Sequence, residues 1–174
     1  MMDKAAEAGI EGQPRNPQAD DRLGYCLYRS MIHPSLDEAD IAAILEDARE
    51  RNHRTGVTGC LHYEDGTFVQ WIEGPWLRIF RLVDSLRDDN RHLQMTVLDQ
   101  GSLSRRLFPD WDMRFSDPAA ASLLDWLADG KTRSPDEAAY ADRVRQFLQT
   151  IGSAGPDAGQ LDGEGGLANP GDGH

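Results

Sequence analysis

The segment Val57-Thr-Gly-Cys-Leu-His-Tyr63 is followed by Glu64-Asp65-Gly66 and then by Thr67-Phe-Val-Gln-Trp-Ile-Glu73. Both outer segments are short and rich in apolar, β-branched and aromatic residues, which is typical of strands. An Asp-Gly pair between two such segments predicts a tight hairpin, because both residues tolerate a positive φ. We therefore expect residues 57–63 and 67–73 to pair as antiparallel strands.

A helix is predicted on each side of this hairpin. Upstream, Ser35-Leu-Asp-Glu38 matches a capping box, and apolar residues follow at helical spacing until Asn52, with Gly56 as a left-handed cap. Downstream, Gly74-Pro75 is predicted to open a second helix, because proline is tolerated in a first turn. The apolar stripe of that second helix consists of Trp76, Ile79, Phe80, Val83 and Leu86.

Three further strands are predicted over 23–30, 93–98 and 111–115. The order β-α-β-β-α-β-β is the ferredoxin-like pattern with one added strand, so the predicted fold class is α+β with both helices on one face of the sheet. Two more helices are predicted over 119–128 and from a Ser134 cap to residue 150. We expect them to cover the other face, because an exposed apolar sheet face promotes aggregation.

The two ends of the chain differ in composition from its middle. The 174 residues carry a net charge of −12, and only 39% of them are apolar, less than is usual for a globular domain. Residues 1–22 and 152–174 contain no aromatic residue, so both segments are expected to be disordered. Residues 23–116 are the predicted folded domain, and 117–151 a helical extension.

Composition and motifs argue against several classes of function. The chain has neither an apolar run of membrane-spanning length nor a signal peptide, so we expect a cytoplasmic protein. Its acidic charge argues against direct nucleic-acid binding. Cys26 and Cys60 are expected as free thiols, and the histidines lack metal-ligand spacing. No Gly-x-Ser-x-Gly elbow or phosphate-binding glycine loop is found, which leaves an enzyme with little support.

A few polar or aromatic residues stand where the pattern favours something else. Strand alternation places Gln70 on the face of Phe68 and Ile72, the helix-covered face, where a buried amide needs hydrogen-bond partners. An edge-strand glutamine that faces water is the equally open alternative. Ordinary structural roles are open for the other candidates, which are Tyr28, Asn52, Trp111 and Met113.

Taken together, five separated motifs resemble the BLUF domain, a family of flavin-binding blue-light sensors. The motifs are Leu27-Tyr-Arg-Ser30, Asn52 before Thr55-Gly-Val-Thr-Gly59, Phe68-Val-Gln-Trp-Ile-Glu-Gly74, Arg91-His92, and Phe108-Pro-Asp-Trp-Asp-Met113. They occur in the family's order over residues 23–116. Within the family, the chain looks most like the BLUF domain of the AppA antirepressor. A short, stand-alone BLUF protein without an attached output domain is expected.

The resemblance implies FAD bound non-covalently between the two helices, light-driven chemistry, and no net reaction on a substrate. By the same resemblance, Tyr28 matches the electron and proton donor, and Gln70 the amide between this tyrosine and the flavin. Asn52 matches the amide that holds the carbonyl and N3 edge of the ring. The remaining matches are Ile44, Leu61 and Phe68 against the ring, Arg91 and His92 near the flavin's side chain or benzenoid side, and Trp111 and Met113 in signal relay.

Two residues depart from the family pattern, and other functions stay open. Arg51 either contacts the flavin or is solvated, and solvation is the favoured expectation, whereas Trp71 is a candidate for a competing electron donor. An unidentified regulatory protein is the expected partner, and homo-oligomers are possible; neither nucleic acid nor a membrane is expected as a partner. FAD rather than FMN rests on the resemblance alone. The alternatives are a ferredoxin-like interaction module without flavin, and an acylphosphatase-like hydrolase that uses Arg29 and Asn52 on phosphate.

Overall fold

The computed structural model describes residues 22–110, 112–129 and 136–153. The elements follow the predicted order, which confirms the α+β fold class. They are β1 (Leu23–Ile32), α1 (Glu38–Thr55), β2 (Thr58–Glu64), β3 (Thr67–Pro75), α2 (Trp76–Arg87), β4 (His92–Ser102), β5 (Arg114–Ser116), α3 (Leu123–Asp129) and α4 (Glu137–Gly152).

The five strands form one sheet in the order β4-β1-β3-β2-β5. All neighbours are antiparallel except β5, which runs parallel to β2. The connection from β1 to β2 passes over β3, and the connection from β3 to β4 passes over β1. Each of these crossovers contains a helix, and both helices lie on the same face of the sheet, as predicted.

Strand alternation divides the core between the two faces of the sheet. We call the face under α1 and α2 the first face, and the face under α3 and α4 the second face. The C-terminal helices α3 and α4 pack on the second face, which confirms their predicted position. The first face buries Cys26, Tyr28, Leu61, Phe68 and Ile72, and the second buries Leu27, Cys60, Val69 and Trp71 with Phe108, Val144 and Phe147.

The structure confirms the predicted hairpin turn and the predicted glycine cap at the end of α1. Asp65 and Gly66 adopt φ values of 47° and 70° in the hairpin between β2 and β3. Gly56, at φ 67°, ends α1, and its N–H donates to the Asn52 carbonyl. Both cysteines are free, as expected, and the fold buries both of them.

The predicted cap of α1 is wrong by two residues. Asp37, not Ser35, is the N-cap, because its carboxylate and that of Asp40 complete a reciprocal capping box. The Ser35 hydroxyl instead contacts His33 Nδ1 at 2.7 Å. A carboxylate at both positions of the box provides two acceptors for orphan N–H groups, so the helix begins at Glu38.

The boundaries of the C-terminal helices also differ from the prediction. Helix α3 begins at Leu123 rather than at residue 119, because the Ser122 hydroxyl accepts from the Asp125 N–H at 3.1 Å. Helix α4 begins after Asp136, whose side chain accepts from the Ala138 N–H. The predicted Ser134 cap lies outside the described residues.

The last two strands differ in length from the prediction. Strand β4 extends to Ser102, and β5 contains only three residues. The carbonyls of Asp112 and Met113 accept from the Asn52 Nδ2 and the Arg49 Nε at 2.8 and 3.1 Å, so these two carbonyls bond to side chains of α1. The expected disorder at 1–22 and 152–174 lies outside the described residues, apart from residues 22, 152 and 153. Gly152 belongs to α4.

Within the described part of the chain, no helix combines the length and the apolar character that a membrane crossing requires. No three histidine, cysteine or acidic side chains of that part are arranged to hold a metal ion.

Candidate functional site

The register of the central strands brings a tyrosine and a glutamine together on the first face. Tyr28 of β1 lies opposite Gln70 of β3, which in turn lies opposite Leu61 of β2. The Tyr28 hydroxyl donates to Gln70 Oε1. Gln70 is 5% exposed and sits on an interior strand, so the alternative of a water-facing edge glutamine is wrong.

The other end of the Gln70 amide contacts the segment before β5. Gln70 Nε2 donates to Met113 Sδ at 3.1 Å, and Met113 is itself 2% exposed. A thioether sulfur is a weak acceptor, so this bond holds the amide less firmly than the tyrosine bond does. The amide therefore has one strong and one weak partner, and rotation would exchange its oxygen and nitrogen between them.

A cleft between α1 and α2 opens beside this pair. Its lining includes every predicted flavin-contacting residue except Asn52, and their contacts with flavin stay a prediction. Ala48 and Leu86 also line it and were missed as site residues, although Ala48 lies one helical turn after Ile44. The lining consists of Tyr28, Ile44, Ala48, Arg51, Leu61, Phe68, Gln70, Leu86, Arg91 and His92.

Asn52 is fully buried, and within the described residues only the nitrogen of its side-chain amide is hydrogen-bonded. Its Nδ2 donates to the Asp112 carbonyl at 2.8 Å. Within the described residues, its Oδ1 accepts no hydrogen bond. An unpaired buried acceptor costs about 1–3 kcal/mol. An N–H group on a bound ligand would remove that cost.

Arg51 is half-buried rather than fully exposed to solvent, and the contact with flavin that the sequence left open stays a prediction. Its side chain lines the cleft, and its buried Nε has no hydrogen-bond partner among the described residues. Burial lowers the pKa of Arg51, but an arginine remains charged at neutral pH. Arg51 follows Ile44 by seven residues and Ala48 by three, so helical spacing alone would have placed it on the cleft side of α1.

Two further cleft residues are fixed by neighbouring polar groups. Arg91 Nη2 donates to Asp89 Oδ2 at 2.7 Å, and its Nη1 lies 3.7 Å from Asp47 Oδ2. The hydrogen bond from Arg91 lowers the pKa of Asp89 and raises that of Arg91. His92 Nδ1 lies 2.9 Å from Ser30 Oγ, and burial lowers the pKa of its imidazole.

The electrostatics keep the tyrosine protonated. Burial raises the pKa of Tyr28 far above its usual value, so the residue is a neutral phenol with a proton to donate. Its ring meets the edge of the His92 ring at a centroid distance of 6.5 Å.

Two residues considered from the sequence, Trp71 and Arg29, do not join this cluster. Trp71 lies on the second face, where its Nε1 donates to Glu73 at 2.9 Å and its ring stacks on Tyr25. As a competing electron donor it would therefore act from the other side of the sheet. Arg29 lines a second-face groove with Val69, whereas Asn52 is buried against the segment before β5, so the predicted phosphate pair does not form. Trp111 lies outside the described residues.

The chain matches one family model and several curated proteins. The model described as "BLUF: Sensors of blue-light using FAD" matches residues 23–114. Photoactivated adenylate cyclase subunit beta of Euglena gracilis is 30% identical over 107 residues, which make up 61% of this chain and 12% of that subunit. The blue light- and temperature-regulated antirepressor BluF of Escherichia coli (strain K12) is 28% identical over 127 residues, 72% of this chain and 32% of the antirepressor. The chain thus spans only a small part of these relatives.

Two solved structures have a similar fold over most of the described chain. BlrB, a BLUF protein in its dark state, superposes with a TM-score of 0.60 at 33% identity, over 74% of this chain and 99% of that chain. BlsA in its photo-activated state gives a TM-score of 0.65 at 23% identity, over 77% and 97% of the two chains. A particular likeness to AppA is not shown by these matches and stays a prediction.

Proposed function

Because this chain belongs to the BLUF family of blue-light sensors that use FAD, we propose that it binds FAD non-covalently in the cleft between α1 and α2. The observation that carries the proposal is the buried Tyr28–Gln70–Met113 hydrogen-bond chain at the wall of that cleft. It joins a proton donor to an amide with two possible orientations, and the amide to a segment outside the cleft.

The residues around the cleft fit an isoalloxazine ring. Asn52 Oδ1 is a buried acceptor without a partner among the described residues, and it suits the ring's N3–H. Arg51 supplies a positive donor suited to a ring carbonyl. Arg91 and His92 also line the cleft. The apolar walls are formed by Ile44, Leu61, Phe68 and Leu86.

A bound flavin would supply the absorber of blue light and the electron acceptor. The neutral phenol of Tyr28 is the group placed to give up an electron to it, while the Tyr28 hydroxyl proton would pass to Gln70 Oε1 and a proton would leave Gln70 Nε2 for the reduced acceptor. Rotation or tautomerisation of the Gln70 side chain then changes what its amide donates and accepts. The weak bond from Gln70 Nε2 to Met113 Sδ is the contact that such a change alters first outside the cleft.

In this proposal the chain converts no substrate and passes the light signal to an unidentified regulatory protein or to another copy of itself. The position of the C-terminal helices supports a signal of this kind. Helices α3 and α4 cover the second face of the same sheet that carries Tyr28 and Gln70 on its first face. A change in β5 therefore has a packed layer to act on.

Absorption spectroscopy tests the proposal directly. The purified protein is expected to be yellow, and blue light is expected to shift its flavin absorption slightly to the red, with recovery in the dark. Chromatography of the released cofactor separates FAD from FMN. A colourless protein that takes up neither flavin would contradict the proposal and favour an interaction module without cofactor.

A further inference from the structure

A chain of hydrogen bonds on the second face joins β5 to the N-terminus of α3. Ser116 Oγ of β5 lies 3.2 Å from His62 Nδ1, and His62 Nε2 lies 3.1 Å from Glu64 Oε2. Glu64 Oε1 accepts from the Ser122 hydroxyl at 2.6 Å, and Glu64 Oε2 accepts from the Leu123 N–H at 2.7 Å. Ser122 directly precedes α3, and Leu123 is its first residue.

The protonation states of these groups determine which of them donates and which accepts in each hydrogen bond of this series. His62 has no exposed surface, and burial lowers its pKa, so its imidazole is neutral and carries one N–H. Burial alone would raise the pKa of Glu64, but the hydrogen bonds from Ser122, His62 and two backbone amides lower it, so this carboxylate only accepts. The His62 proton therefore lies on Nε2, and Nδ1 accepts from the Ser116 hydroxyl.

The far end of this chain lies close to the proposed photochemistry. Ser116 follows Met113, the partner of Gln70 Nε2, by three residues. Strand β5 is three residues long and lies at the edge of the sheet, where it pairs with β2 and places Ser116 opposite His62. A displacement that begins at Met113 therefore reaches the Ser116 hydroxyl along a short edge strand.

We propose that His62 is a positioning residue that couples β5 to the N-terminal cap of α3, so that α3 responds to the hydrogen-bond state of Gln70. The inference rests on the proposed function. Helix α3 has seven residues, too few to be stable by itself, so its first turn depends on the Glu64 acceptor. The Phe147 ring of α4 meets His62 edge-on at a centroid distance of 4.9 Å and fixes the plane of the imidazole.

A separate contact from the same segment reaches the other end of the helical layer. Arg114 Nη1 donates to the Gly152 carbonyl at 3.3 Å. The Phe108 ring packs so closely on Gly152 that a Cβ there would lie 2.3 Å from the ring. Neither contact includes His62. The response of the C-terminus of α4 to light can therefore be compared with that of α3, because only the response of α3 is proposed to depend on His62.

Ser116→Ala is the variant that tests the coupling. It removes one hydroxyl and leaves the His62–Glu64 pair and the strand in place. Hydrogen exchange in the dark and under blue light is measured for the full chain, over α3 and over the last turn of α4. We expect the flavin shift to persist, the light-dependent change in α3 to be lost, and that in α4 to remain. Thr150→Ala, which removes a hydroxyl bonded only to the Gln146 carbonyl of the same helix, should keep all three.

Nitrogen NMR of His62 in the wild-type chain provides a second, independent readout. The proposal expects the Nε2–H tautomer in the dark and a change in the Nδ1 resonance under light, whereas a purely structural histidine would give the same spectrum in both states. The proposal is overturned if a light-dependent change in α3 persists in Ser116→Ala, or if neither α3 nor His62 responds in a wild-type protein with a normal flavin shift. Absence of the flavin shift itself would contradict the proposed function, and this inference with it.

Discussion

At the scale of single residues, the site depends on amides that are buried with only part of their hydrogen-bonding capacity used. Gln70 has one strong and one weak partner, and Asn52 has a donor in use and a free acceptor within the described residues. Buried amides are normally satisfied, because an unpaired group loses its bonds to water without compensation. These two positions are therefore where a ligand's own polar groups have most to contribute.

Replacing either partner of the Tyr28–Gln70 bond is expected to abolish the normal light-induced shift. Gln70→Leu and Tyr28→Phe keep most of the side-chain volume but remove the amide and the hydroxyl, so flavin should still bind. The measurement is the light-minus-dark absorption spectrum. Tyr25→Phe is the matched control, because the Tyr25 hydroxyl bonds to Asp99 away from the cleft. A full reversible shift in Gln70→Leu would show that the role given to Gln70 is wrong.

Asn52→Ala is expected to weaken flavin binding about tenfold, the effect of losing one hydrogen bond of roughly 1.4 kcal/mol. The Kd is measured by fluorescence quenching during titration of the flavin-free protein. Asn90→Ala, at an exposed position after α2, should leave the Kd unchanged. An unaltered affinity in Asn52→Ala would mean that the free Oδ1 does not face the cofactor.

At the scale of elements, the short segment between β4 and β5 is held from two directions. Glu73 of β3 accepts from the Leu107 and Phe108 N–H groups at 2.9 and 2.7 Å. The side chains of Arg49 and Asn52 in α1 hold the carbonyls just before β5. The middle and the C-terminal end of the segment are thus anchored on elements that also carry the site, which makes it a suitable route out of the cleft.

Met113→Leu is expected to leave the flavin shift largely intact while it weakens the light-dependent change in β5 and the helices beyond it. Leucine keeps the packing but removes the sulfur that accepts from Gln70, and swaps of equal volume usually cost less than about 1.5 kcal/mol. Hydrogen exchange over residues 105–110, 112–129 and 136–153 checks this. Met95→Leu, packed against the first-face core, is the control. Identical protection of those residues in wild type in dark and light would exclude this output route.

At the scale of the whole molecule, the second face of the sheet has a buried apolar core of its own. Helix α4 packs four large apolar residues onto a sheet face that would otherwise be open, namely Val144, Phe147, Leu148 and Ile151. Burial of that kind dominates the stability of a domain. The C-terminal helices are therefore part of the fold, and a signal that reaches them changes a packed layer.

Acidification is expected to destabilise the protein from about pH 6.5 downwards, where an unfolded histidine titrates. Burial lowers the folded-state pKa of both His62 and His92, so the unfolded chain binds more protons and stability falls as pH falls. Each imidazole contributes up to about 1.4 kcal/mol per pH unit between its folded and unfolded pKa. Urea unfolding at pH 7.5 and 5.5 measures the loss.

The same experiment on single variants assigns the effect. We expect the free energy of unfolding to vary less with pH in His62→Gln and in His92→Gln. Replacement of the exposed His33 should leave this pH dependence unchanged. Stability that is equal at both pH values in the wild type would show that neither buried imidazole is kept neutral by the fold.

The sequence by itself determined the features that depend on neighbouring residues. The Asp65-Gly66 turn, the Gly56 cap and the side of the sheet that Gln70 shares with Phe68 and Ile72 all follow from backbone preference and strand alternation. The cap of α1 was misplaced because two overlapping motifs compete there, and only the folded chain shows that the pair of carboxylates is used.

The tertiary structure alone decided which distant groups meet. Glu64 caps a helix that begins 59 residues later, and Asn52 holds a carbonyl 60 residues away. Arg51 belongs to the cleft because α1 packs across the sheet beside α2. Such contacts depend on the order β4-β1-β3-β2-β5, in which strands remote in sequence become neighbours. No local preference encodes those distances, because they are set by the packing of the whole sheet between its two layers of helices.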